Sequence, residues 1–321
     1  MKTNHRVCTA MLVGGFLLAA LLAWAQGPGG RRHNSTKAQP LVLVPANLET
    51  LVDNFVEEKI VGQYREIRSN GVPTHNVGAF PNRGNPNVIR LQNHFFRVPA
   101  NPKVSDRATP TSAMGPIGVA VNGLPLEPGA AEFWQGNFHS GWQYEPLGGA
   151  VNLGLDGNHA HVQPTGTYHY HGLPKLLMKE IGVSETKHSP RIGWAADGFP
   201  IYALYGYEDP KDANSKIVKL TASYQLKEGQ RPGGAQPSGA YDGAFVQDYE
   251  YAEGLGTLDE CNGRFTVTPD FPDGTYAYFM TENWPVLPRL MRGTPIPLRA
   301  PPPMGRGKGK GKGFPPPPPR R

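Results

Sequence analysis

The sequence has almost no cysteine. Only Cys8 and Cys261 occur in 321 residues, and Cys8 falls in an N-terminal segment expected to be removed. A lone Cys261 cannot close an internal disulfide, so a hydrophobic core must hold the fold. The absence of a Cys-x-x-Cys pair argues against a thiolate zinc site. No Gly-x-Ser-x-Gly elbow, His-Glu-x-x-His helix or P-loop is present, so the corresponding hydrolase and nucleotide chemistries have no signature here. A blue-copper centre needs a histidine close after its cysteine, and none occurs after His188. Cys261 is therefore expected to be a buried thiol.

Long apolar runs are also missing, apart from one. Lys2 and Arg6 precede an apolar or small stretch from residue 7 to about 24, and Ala23-Trp24-Ala25 matches a small-x-small cleavage pattern. Residues 1–25 are thus expected to be a signal peptide, giving an exported protein, periplasmic or extracellular. An uncleaved membrane anchor is the alternative.

The fold lacks a positive surplus as well. Of the 32 basic residues, nine lie outside 26–298: Lys2, Arg6, Arg299, Arg306, Lys308, Lys310, Lys312, Arg320 and Arg321. That leaves 23 against all 26 acids, so the formal charge of +6 belongs to the ends. No nucleic-acid partner is expected, because phosphate neutralisation needs a basic face on the fold.

What is abundant is glycine and proline, 40 and 34 residues. Residues 26–40 read as a flexible linker, and 299–321 as a Pro/Gly/Lys-rich tail too poor in apolar side chains to fold. The tail is either a solvated spacer or a weak tether to an anionic envelope or matrix polymer. One domain is expected over 41–298. Leu48, Leu51, Val52, Phe55 and Val56 have helical spacing, predicting a helix from Leu48 to about Lys59, and a short second one is expected over Lys175–Ile181. Short β-like segments dominate the rest: His94–Val98, Ile117–Val121, Tyr168–His171, Ile201–Tyr205, Ile217–Leu226, Phe265–Thr268 and Thr275–Met280. The expected class is mainly β, an antiparallel sandwich or barrel with long loops and one or two short helices.

The chemistry concentrates in residues 158–172. Pro164-Thr165-Gly166 suits a three-residue hairpin loop with glycine at the left-handed position. That turn pairs Gln163 with Thr167, His161 with His169, and His159 with His171. Residues two apart on a strand share a face, so four imidazoles should project from one side in a two-by-two array. Ala160, Tyr170, Val162 and Tyr168 would form the opposite, core-facing side. Imidazole nitrogens suit copper, zinc, nickel and iron, and a tetragonal set favours Cu(II) or Ni(II); four neutral ligands do not suit Ca²⁺. The expected site is a metal centre of His159, His161, His169 and His171, or of two or three of them, with copper ahead of zinc.

Asp156, just before the hairpin, is the sequence-local candidate for a supporting carboxylate or general base. Asp197, Asp242, Asp259 and Glu260 are further carboxylates that the sequence cannot place. His75, His94 and His139 are each possible completing ligands. Asp273-Gly-Thr-Tyr-Ala-Tyr-Phe279 echoes Gly166-Thr-Tyr-His-Tyr-His171, as if the two were equivalent strands of one sheet with only one bearing the site.

Tyr168-His169-Tyr170-His171 is the literal tetrapeptide of the YHYH family, which the chain resembles over roughly residues 57–295. The shared segments include Ser69-Asn-Gly-Val-Pro73, Phe80-Pro-Asn-Arg-Gly-Asn-Pro-Asn87 and Gly118-Val-Ala-Val-Asn-Gly123. Asn158-His-Ala-His161, Asp197-Gly-Phe-Pro-Ile-Tyr202 and Leu258-Asp-Glu-Cys-Asn-Gly-Arg264 belong to the same pattern. The resemblance implies an exported protein and supplies no catalytic residues. Gly166-Thr-Tyr-His-Tyr-His171 is also similar to a Gly-Thr-Tyr-x-Tyr-His strand of multicopper oxidases, which implies a cupredoxin-like sandwich as one fold option and adds weight to copper. The other copper motifs of those enzymes are missing.

Two functional readings follow. One is an exported histidine-rich metal-binding protein, serving either metal capture or redox or hydrolytic chemistry at an open coordination position. The other is a metal-free envelope or matrix module, its histidines and tyrosines lining a ligand pocket and its basic tail acting as tether.

Overall fold

The computed structural model describes residues 41–42 and 52–298; the expected signal peptide, the expected linker 26–40 and the basic tail lie outside these residues. Its principal element is an open, mixed sheet of eight strands. In chain order these are β1 (Gly118–Ala120), β2 (Pro125–Leu126), β3 (Ala160–Val162), β4 (Tyr168–Tyr170), β5 (Gly193–Ala195), β6 (Pro200–Ala203), β7 (Gly263–Thr268) and β8 (Phe271–Met280). Across the sheet they run β7-β8-β6-β5-β1-β2-β4-β3. The protein is mainly β, as expected, and no barrel closes among the described residues. The sheet is not purely antiparallel, because β2–β4 and β6–β8 are parallel pairs. Each parallel pair is joined by a long connection, which same-direction neighbours require.

The order across the sheet reveals two halves of one design. Ile117-Gly-Val-Ala-Val-Asn-Gly-Leu-Pro-Leu126 forms hairpin β1–β2, and Ile192-Gly-Trp-Ala-Ala-Asp-Gly-Phe-Pro-Ile201 forms hairpin β5–β6. Each hairpin then receives a later one, β3–β4 or β7–β8, whose second strand lies parallel to it. The halves meet at β1 and β5 with Gly118 opposite Ala195, Val119 opposite Trp194 and Ala120 opposite Gly193, a pairing symmetric about its middle. Hydrogen bonds repeat in step: Ile117 N to Leu126 O matches Ile192 N to Ile201 O, both 2.8 Å. Gly123 and Gly198 turn the two first hairpins with φ of 77° and 91°. A Cβ on either would strike the neighbouring sheet, at Ser69 or at the Pro99 carbonyl, so only glycine fits.

Alternation along the strands sends one side of the sheet into the main core. Leu126, Ala160, Val162, Tyr168 and Tyr170 contribute from the first half, and Ile201, Ala203, Tyr276, Tyr278 and Met280 from the second. The other side is covered in parts. At the centre, Val119 and Trp194 pack under a three-stranded antiparallel sheet, Val56–Val61, Tyr64–Ser69 and His94–Pro99, through Ile67, Phe96 and Val98. On the second half, Tyr202, Ala277 and Phe279 form an apolar cluster with Leu220 and Leu258. On the first half, the matching positions carry the histidines.

The helix expected from Leu48 to Lys59 is corrected. Residues 48–51 lie outside the described region, and Val56–Val61 is a strand paired with Tyr64–Ser69. The Gly62 turn and the cross-strand pairing override the helical spacing. The second helix is present as α1, Lys175–Glu180. The expected strand over Ile217–Leu226 is two, Ile217–Lys219 and Tyr224–Leu226, with different neighbours. Ile201–Tyr205 is likewise broken at Leu204, where φ is 63°.

A candidate metal centre on the histidine hairpin

The β3–β4 hairpin has the register its turn chemistry predicts. Gly166 N donates to Gln163 O at 2.8 Å, Gly166 has φ of 89°, and Gln163 N donates to Thr167 O at 2.9 Å. His161 then lies opposite His169, Ala160 opposite Tyr170 and Val162 opposite Tyr168. The ladder continues with His171 N donating to His159 O at 2.7 Å.

The tyrosines of the motif anchor the core side. Tyr168 OH donates to Asp156 Oδ2 at 2.7 Å, and Asn122 Nδ2 donates to Tyr170 OH at 2.9 Å. His75 Nε2 lies 2.6 Å from the same Tyr170 hydroxyl. These residues are buried, so the unmade bonds would be costly and the face is firmly specified.

The other face gathers three imidazoles. His171 Nε2 lies 3.0 Å from His169 Nε2 and 3.0 Å from His161 Nε2. His161 Nδ1 meets the Leu153 carbonyl at 2.8 Å and His169 Nδ1 the Thr167 carbonyl at 3.2 Å. A carbonyl only accepts, so both Nδ1 atoms carry the hydrogen and both Nε2 atoms present lone pairs to the cluster. Burial is the first cause of two lowered pKa values: His161 is held at about 4, with His169 adding to the lowering, and His171 lies well below the usual imidazole value, lowered further by His161 and His169. Both rings are neutral at neutral pH, the state a metal needs. Two nitrogens on one tetrahedral zinc stand about 3.3 Å apart, from metal–nitrogen bonds of about 2.0–2.1 Å. The observed 3.0 Å needs to open by only a few tenths of an ångström.

His161, His169 and His171 form the one group of metal-capable side chains among the described residues. The two-by-two array is corrected in one corner. His159 has a left-handed backbone, φ 52°, and its Nδ1 packs toward Gly172, so it does not join the three. Asp156 supports the hairpin from the core side, accepting from Gly78 N, Asn158 N and Tyr168 OH, and no cluster histidine is among these donors. Burial raises its pKa. The possible completing ligands lie elsewhere: His75 on the core side, His94 against Phe96, and His139 in a short exposed turn. The other carboxylates are also away from the cluster. Asp197 binds Tyr278 OH and Gly293 N, Asp242 pairs with Arg231, and Asp259 and Glu260 pair with Arg292. Cys261 is a buried thiol, as expected.

One carboxylate does reach the cluster. Glu127 follows β2, is 4% exposed, and its Oε2 lies 4.0 Å from His169 Nε2. Gln163 Nε2 donates to that oxygen at 2.8 Å. The parallel pairing of Leu126 with Tyr170 brings it there, a contact that no local pattern announces.

The second half provides an internal comparison. Asp259 accepts from Cys261 N, Gly263 N and Tyr276 OH, as Asp156 does from Asn158 N, Ala160 N and Tyr168 OH. Asn262 has φ of 58°, matching His159, and Phe279 N donates to Asn262 O as His171 N does to His159 O. Asp197 meets Tyr278 where Asn122 meets Tyr170. The supporting residues therefore recur. The cluster residues do not: Glu127, His161, His169 and His171 correspond to Tyr202, Arg264, Ala277 and Phe279.

A family model described as "YHYH protein" matches residues 95–293. The chain belongs to the YHYH family. The matched region of this YHYH protein contains all eight strands of the principal sheet and every residue of the cluster. Neither curated proteins nor solved structures gave a match.

Proposed function

We propose that this YHYH protein is an exported metal-binding protein whose His161, His169 and His171 hold one ion, Cu(II) ahead of Zn(II). The observation that carries this reading is the comparison between the two halves. The fold repeats its supporting tyrosines, carboxyl and amide groups, and turn glycines, yet puts Tyr202, Ala277 and Phe279 of an apolar cluster, with Arg264 in the place of His161, where the first half has Glu127 and the histidines. A histidine cluster whose three positions the other half fills with an arginine, an alanine and a phenylalanine is not required by the architecture. Its convergent Nε2 atoms, 3.0 Å apart in two pairs, suit a cation.

Three imidazoles leave a position open for water or substrate, the arrangement of catalytic rather than purely structural sites. The rival reading is a metal-free network in which a hydrogen on His171 Nε2 is shared with its two neighbours. Elemental analysis separates the two, on untagged protein from its native compartment beside a His161→Ala/His169→Ala variant. About one equivalent of copper or zinc, lost in the variant, is expected. No metal in either after exposure to both ions would overturn the proposal. Export is tested separately by sequencing the mature N-terminus, which is expected to begin at Gln26.

A further inference from the structure

Three neutral imidazoles do not by themselves distinguish a dication from Cu(I), since imidazole accepts both copper states and zinc. The charge of the surroundings decides. We propose that Glu127 makes this centre selective for a divalent ion over Cu(I); the inference rests on the three-histidine reading above.

Three observations support it. The Glu127 carboxylate is buried with the cluster, its Oε2 4.0 Å from His169 Nε2, close enough for its charge to act on an ion held there. Gln163, next to the hairpin turn, fixes that oxygen by a 2.8 Å hydrogen bond, so the group is oriented rather than swung toward solvent. The glutamate also appears only where the histidines do. In the second half its position is Tyr202, paired with Phe279 inside the apolar cluster. A carboxylate in a buried pocket favours each added unit of positive charge on the ion. At a few ångströms and an effective dielectric constant near 20, one further charge unit gains roughly 100-fold in binding.

The test measures Zn(II) and Cu(I) affinities by chelator competition on the untagged full chain, for wild type, Glu127→Gln, Glu127→Asp and a His161→Ala/His169→Ala/His171→Ala variant. Glu127→Gln is expected to lower the Zn(II)-to-Cu(I) affinity ratio by roughly 100-fold, and Glu127→Asp to keep it within about tenfold of wild type. Using the ratio cancels general damage to the fold, which weakens both ions alike. A fall of less than about tenfold in Glu127→Gln, or an equal fall in Glu127→Asp, overturns the assignment of selectivity to this charge. Failure of the underlying site looks different: wild type binding neither ion, or the triple-histidine variant binding as wild type, overturns both.

Discussion

Tyr168 and His169 are adjacent on one three-residue strand and face opposite ways, the tyrosine hydroxyl donating to buried Asp156 and the imidazole entering the metal-capable cluster. The tyrosine bond therefore fixes the strand that aims the ligand. Tyr168→Phe leaves a buried carboxyl short of a donor and is expected to cost about 1–3 kcal/mol. Tyr276→Phe breaks the equivalent bond to Asp259 in the second half. Both variants should melt earlier, and only Tyr168→Phe should also weaken zinc binding, measured by chelator competition. Equal loss of metal affinity in both would show that the effect is global.

His159 makes a second contrast. Its φ of 52° is matched by 58° at Asn262, and asparagine tolerates the left-handed region better than most residues. His159→Asn is expected to keep both the thermal midpoint and the metal stoichiometry. His159→Val should be destabilising by about 1–2 kcal/mol from backbone strain alone. Loss of the ion in His159→Asn would return this histidine to the ligand set.

Local chemistry made the hairpin legible. Pro164, Gly166 and the alternation of small or aromatic residues with histidine determine its register before any long-range contact forms. The two faces are therefore readable, down to His161 opposite His169. Long-range pairing was not readable. Glu127 reaches His169 through a parallel junction spanning some forty residues, and Val56–Val61 is a strand because Tyr64–Ser69 pairs with it. The relation between halves lay half in view. Gly166-Thr-Tyr and Gly274-Thr-Tyr echo each other, and Ile117–Leu126 against Ile192–Ile201 is a fuller match. The different connection lengths, 127–159 and 204–262, hide any fixed repeat period.

Acid sensitivity should show at His188, which is remote from the cluster and packs against Tyr202, Tyr207 and Phe279. Burial, first among the causes, lowers its pKa below the ordinary 6.5. The unfolded chain then takes up a proton before the folded one. His188 adds no penalty above about pH 6.5, and stability falls as pH drops from there toward the folded value, by up to about 1.4 kcal/mol per unit. Denaturation midpoints of wild type and His188→Gln, measured in chelator from pH 7.5 to 5, should give a shallower decline in the variant. Parallel declines would remove His188 from the account.

Cys261 should be inert in the folded protein. Desolvation is the main reason its pKa rises to about 12, with the Asp259 charge adding to it, and the thiol is fully buried. Thiolate is the reactive form, so alkylation by iodoacetamide at pH 8 should be negligible in native protein and complete in denaturant. Rapid native labelling would mean that the Asp259–Tyr276 region opens readily, contrary to its packing.

The two halves also predict what the cluster does for stability. His169→Ala/His171→Phe installs the side chains that the second half carries at Ala277 and Phe279. If the histidines serve an ion, this variant should lose the rise in melting temperature that wild type gains from zinc, about 2.7 kcal/mol at one hundred times the dissociation constant. In chelator it should lose no more than about 2 kcal/mol, the typical ~1 kcal/mol for each of its two substitutions. A histidine network required by the fold would reverse this pattern. Zinc would then leave the wild-type midpoint unchanged, and the variant would be strongly destabilised in chelator, because the hydrogen bonds of His171 with His169 and His161 would be lost.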